Sequence, residues 1–119
     1  MKYMLLIHQG SAPTPYDQDA WQQLSEDERN AVHSDYMAIN QTPGVTPGVG
    51  MQPPETATTV RVEDGRTLTT DGPFVAVKEA LGGFLVYEAD DLDAAIELAA
   101  RIPAARMGGA VEVRPVAEW

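Results

Sequence analysis

The sequence predicts a single α+β domain, residues 1–119, built on one antiparallel sheet with helices on one face. Three observations carry that expectation. Apolar runs at residues 2–8 (KYMLLIH) and 83–89 (GFLVYEA) have the length and continuity of buried strands. Capped, amphipathic helical patterns follow each of them. Between the two halves, Asp64-Gly65 separates two β-branched runs, which is a hairpin signal.

Taken in order, residues 2–8 form the first strand, and the turn-rich GSAPTP at 10–15 ends it. Asp17 caps a short helix through Leu24. Ser25 then opens S-E-D-E, a capping box in which Ser25 accepts from the amide of Glu28 and the Glu28 side chain reaches back. The acidic first turn suits the helix dipole. Val32, Tyr36 and Ile39 lie at i, i+4 and i+7 and form one apolar stripe, and Thr42-Pro43-Gly44 stops the helix.

Residues 43–54 (PGVTPGVGMQPP) hold four prolines and three glycines, so they read as irregular or edge-strand chain. Thr56–Val62 and Arg66–Thr70 form the hairpin. Residues 83–89 give the next strand. Asp90 or Asp91 caps a helix to about Arg101, with Leu92, Ala95, Ile96 and Ala99 as its apolar face, and Pro103 ends it. Gly108-Gly109 turns the chain into a last alternating strand at 110–116. The order β, α, hairpin, β, α, β is the split-βαβ, or ferredoxin-like, pattern. Helices cover one face of such a sheet. The strands are too apolar to leave the other face wet, so a second copy is expected on it.

Composition narrows the function classes. With 18 acidic and 8 basic residues the net charge is -10, which repels phosphate backbones and anionic lipid. No nucleic-acid or membrane partner is expected. The absence of cysteine rules out disulfides, thiolate nucleophiles and cysteine-ligated metals. It fits a reducing compartment. The apolar run at Met4–Ile7 is too short for a signal sequence or a membrane span, so a cytoplasmic protein is expected. No histidine spacing suits a metal, no phosphate loop or dinucleotide fingerprint is present, and no organic cofactor is implied.

The run DGPFVAVKEALGG at 71–83 resembles the signature of the YCII-related proteins of the DGPF type. The resemblance continues through MKYMLLI at 1–7, LSEDER at 24–29, QPPETATTVRV at 52–62, DGRTLTTDGPF at 64–74, ADDLDAAIELAARIPAA at 89–105 and VEVRPV at 111–116. It implies a ferredoxin-like fold that pairs into a dimeric α/β barrel. It also implies a pocket between sheet and helices where a His-Asp pair was proposed to act. Some DGPF-type proteins are associated with alternative sigma factors by context.

His33 matches the family histidine, which lies after an arginine in the same helix. It is either a general acid–base or a half-exposed surface residue beside the core stripe. Arg29, Tyr36 and Asn40 share its helix flank, and Arg29 and Tyr36 are assigned with His33 to a polar, substrate-binding pocket. The family's acid precedes a proline, and here that position is Ile102, before Pro103. Asp71 is therefore assigned as the partner of His33, although it also reads as a turn residue ahead of Gly72-Pro73. Phe74 reads as a core or dimer-seam anchor. Lys78 and Glu79 read as a solvated pair or as part of the substrate site, with Lys78 or Arg29 on an anionic group and Glu79 paired across the loop. The expected function is a homodimer that binds a small polar or anionic molecule, with acid–base catalysis at His33. The alternative is a non-catalytic interaction or regulatory module linked to transcription.

Overall fold

The computed structural model describes residues 1–15, 17–73 and 81–118. A first strand, β1 (Lys2–His8), runs through the middle of a four-stranded sheet. Helix α1 (Gln18–Gln23) is capped by the Asp17 side chain, which accepts from the amide of Ala20. Helix α2 (Glu26–Asn40) begins on the expected capping box, with both hydrogen bonds between Ser25 and Glu28 formed. Strand β2 (Val45–Gly50) carries Pro47 at the sheet edge, where a missing amide does no harm. After a 3₁₀ turn at Pro54–Thr56 come β3 (Thr58–Glu63) and β4 (Arg66–Asp71). Strand β5 (Leu81–Glu88), helix α3 (Leu92–Ala100), a short α4 (Pro103–Arg106) and β6 (Ala110–Pro115) complete the chain.

The sheet order is β2-β5-β1-β6, antiparallel throughout. That is the split-βαβ arrangement expected from the sequence: β5 sits between β1 and β2, and β6 closes the other side. Alternation along β1 decides its two faces. Tyr3, Leu5 and Ile7 point to the helices and are buried, while Met4, Leu6 and His8 point away. Leu85 of β5 joins the first set opposite Leu5, with Val113 of β6 on the other side. Ile39, Ala95, Leu98, Ala99, Ile102 and Ala104 cover them from the helices.

Two expectations need correction. The hairpin does not extend the four-stranded sheet. Strands β3 and β4 form a sheet of their own, and the fourth strand is β2, from within the proline-rich 43–54 segment. The Asp64-Gly65 turn itself is as expected: both residues have positive φ, 50° and 75°, the two-residue geometry that matches strand twist. This β3–β4 hairpin forms an arm: among the described elements each of its strands packs substantially only on the other. The radius of gyration is 16.1 Å, against about 13.5 Å for a compact chain of this length. The second correction concerns α3. Leu92 and Ile96 are 49% and 50% exposed, and Leu98 is buried instead. The stripe that faces the sheet is Ala95, Leu98, Ala99 and Ile102, spaced i, i+3, i+4 and i+7. This helix is apolar on most sides, so its sequence allowed two stripes and packing on β6 selected one. Pro103 does follow the helix, but it also opens α4, where its fixed φ suits a first helical position. The Phe74 anchor and the Lys78–Glu79 pair lie outside the described residues.

Candidate functional site

A cavity of about 920 Å³ lies between the sheet and the helices, at the end of the sheet where β1 gives way to Gln9-Gly10. Ile7, Gly83 and Leu85 form its sheet side, and Val32 and Tyr36 of α2 face them. Trp21 of α1, Met51 beyond β2 and Met107 after α4 add further walls. The volume is in the range of small-molecule sites, roughly 300–1,000 Å³, and the mix of apolar walls with a few polar groups is typical of them.

Tyr36 is the sequence-assigned residue that lines this cavity. Burial pushes its hydroxyl above the ordinary tyrosine value, offset in part by a side-chain hydrogen bond from Gln9 and by the charge of Arg106. Gln9 owes its position to a glycine. A Cβ at Gly82, on the neighbouring strand, would collide with the Gln9 side chain. Gly82, second in β5, therefore makes room for a polar side chain beside Tyr36. Gln9 was not among the residues assigned from sequence. Its signal was faint: a polar residue just after a buried strand, beside a strand that starts with two glycines.

The other assigned residues fall elsewhere. His33 is exposed on α2 and does not line the cavity. Its ring meets the edge of Trp21, with centroids 5.6 Å apart at 76°. Among the described residues it makes no hydrogen bond or ion pair with a carboxylate. Asp71 is the exposed last residue of β4, paired across the arm with Thr58. Next to it, the Gly72 amide donates to the Ala57 carbonyl at 2.7 Å, and the Thr59 hydroxyl donates to the Gly72 carbonyl at 2.8 Å. The Asp71-Gly72 segment thus closes the base of the arm. Arg29 donates from Nη1 to the carbonyls of Leu24, Gln22 and Trp21, at 2.7, 3.4 and 3.5 Å. These carbonyls lie at the end of α1, where Trp21 also accepts the Leu24 amide, so the guanidinium ties α1 to α2. Lys78 and Glu79 are outside the described residues. Ile102, at the position of the family acid, is 0% exposed in the core.

On the outer face of the sheet, Met4, Leu6, Phe84 and Val86 are half-buried. At its rim Glu112 bonds Arg114 and lies 3.4 Å from His8 Nε2. The Arg114 hydrogen bond, with help from His8, holds the Glu112 carboxyl below its usual range. No group of histidines and carboxylates among the described residues could hold a metal ion. No helix among them is long and apolar enough to cross a membrane.

Comparison with known proteins gives a consistent result. The family model for the YCII-related domain matches residues 1–119. An uncharacterised protein of Rhizobium meliloti is similar at 32% identity, over 98% of this chain and 93% of its own length.

Proposed function

The chain belongs to the YCII-related domain family, and from that premise we propose that it is a homodimer that binds a small polar molecule in the cavity between sheet and helices. The observation that carries the binding reading is the cavity itself, with the Tyr36–Gln9 pair set among apolar walls. A few placed polar groups in an apolar hollow give orientation as well as affinity. The homodimer rests on two apolar surfaces: the outer sheet face, and the arm, where Val60 and Val62 are 59% and 67% exposed. Covering the outer face with a second sheet would give the dimeric barrel. The lack of cysteine and the acidic charge fit a cytoplasmic setting.

This reading is one of binding rather than acid–base catalysis. An imidazole needs an acceptor to set its tautomer and aim. His33 touches Trp21, and the family's acid position holds buried Ile102. Those two facts also favour the second reading, a non-catalytic regulatory module linked to transcription, in which a bound metabolite would act as a signal.

A thermal-shift screen of metabolites on the wild type, Tyr36→Phe and His33→Ala tests the site. A ligand whose stabilisation shrinks in Tyr36→Phe and survives in His33→Ala is the expected result. Stabilisation lost in His33→Ala alone would return the acid–base reading to the front. Sedimentation equilibrium tests the pairing, and a monomer at micromolar concentration would remove the barrel.

A further inference from the structure

We propose that the cavity selects a small organic cation, a protonated amine or quaternary ammonium, over an anion of the same size. This rests on the binding reading above and names the ligand class of that same site. The first argument is where the basic residues go. The chain has 8 lysines and arginines. Seven lie among the described residues, and none of them lines the cavity. Arg29 is spent on the carbonyls of α1. Arg106 pairs with Asp35 at 2.5 Å, and Arg114 with Glu112. Arg61 and Arg66 stand on the arm. Neither histidine lines the cavity. An anion would meet no described basic side chain in the wall; Arg106, whose charge reaches Tyr36 from outside it, is already paired with Asp35. Segment 74–80 carries one lysine and one glutamate, so it leaves the charge balance unchanged.

The second argument is what does line the cavity. Its ionisable carboxylates are Asp17, Asp19 and Glu55, and Trp21 and Tyr36 bring aromatic rings to it. Ring faces attract cations through their quadrupole, tryptophan most strongly. Asp17 also caps α1, and Asp19 sits in its first turn. Those helix duties explain their presence on the chain but leave their charge at the mouth. The field of a chain with net charge -10 raises the local concentration of cations further. Tyr36, a neutral phenol at pH 7, adds a hydroxyl oxygen that can accept from an ammonium N–H.

Three ligands of one shape test this: benzylamine, benzyl alcohol and benzoate. Each is titrated into the full-length protein at pH 7 and followed by two-dimensional amide NMR. The expected result is that benzylamine binds about tenfold tighter than benzoate, with shifts centred on Gln9, Tyr36 and Gly82. Glu55→Gln should weaken benzylamine several-fold and leave benzyl alcohol unchanged. Benzoate binding tighter than benzylamine at those same amides would overturn the charge preference and leave the cavity as a site. Equal weakening of benzylamine and benzyl alcohol in Glu55→Gln would overturn it too. If none of the three moves those amides at millimolar concentration, the binding reading itself fails along with it.

Discussion

The four-stranded sheet and the β3–β4 arm are written in similar residues but end in different surroundings. Both alternate, and both are rich in side chains that suit a pleated surface. In the sheet, Leu5 is 0% and Leu85 3% exposed, because α2, α3 and α4 lie over that face. In the arm, Val60, Val62, Thr67 and Thr69 share one face, and all are exposed. Alternation therefore specifies that a strand has two faces, not that either is covered. A lone two-stranded hairpin is marginal in water. This one is held by its Asp64-Gly65 turn, by the bonds at Gly72, and, in our proposal, by a second copy.

The largest effect expected from this contrast is in the sheet. Leu5→Ala should lose about 2–5 kcal/mol of unfolding free energy, read by urea denaturation with wild type and variant at one protein concentration. A loss under about 1 kcal/mol would mean the core relaxes around the gap. Replacing Val60 and Val62 together by Thr should leave the monomer's stability within about 0.5 kcal/mol, as for other surface changes. If the arm packs on a partner, the same change should raise the dimer dissociation constant about tenfold or more, through lost apolar burial. An unchanged constant in sedimentation would free the arm from the interface.

Smaller effects compare local devices in the two regions. Ser25→Ala removes the cap of α2 and should cost about 1 kcal/mol. Gly65→Ala forces a side chain to φ 75° in the arm turn, at a cost of about 1 kcal/mol locally. Because the arm packs on little else, that loss should appear as faster amide exchange in β3 and β4, with the global unfolding midpoint scarcely moved. The smallest effect is at high pH. The Tyr36 hydroxyl ionises above the ordinary value of 10.0 when folded. Its contribution is present below that value and is lost as pH rises through the folded pKa, since unfolded tyrosine ionises first. Stability should therefore fall above about pH 10, and less steeply in Tyr36→Phe.

Much of this fold was legible in the chain. The capping box at Ser25, the cap at Asp17, the stripe of Val32, Tyr36 and Ile39, and the Asp64-Gly65 turn are local devices. Their physics acts over a few residues, and each is formed where expected. The choice between Leu92-Ile96 and Leu98-Ile102 as the buried side of α3 was not legible, because both stripes are apolar. The candidate site was the least legible part. Tyr36 was identified through its helix flank, but His33 on that flank turns outward to Trp21, and Arg29 is taken up by α1. Gln9 meets Tyr36 only because Gly82, over seventy positions later in the chain, leaves space for it.

By itself, then, the sequence determined the order of the main strands and helices, the local caps and the hairpin turn, and which family the chain belongs to. Only the tertiary structure decided that the proline-rich segment is the fourth strand of the sheet and that the hairpin stands apart. Only it decided that the cavity is lined by carboxylates and rings with no described basic side chain. Those outcomes depend on which surfaces meet, and burial of apolar area is a property of the assembled layers rather than of any stretch of chain.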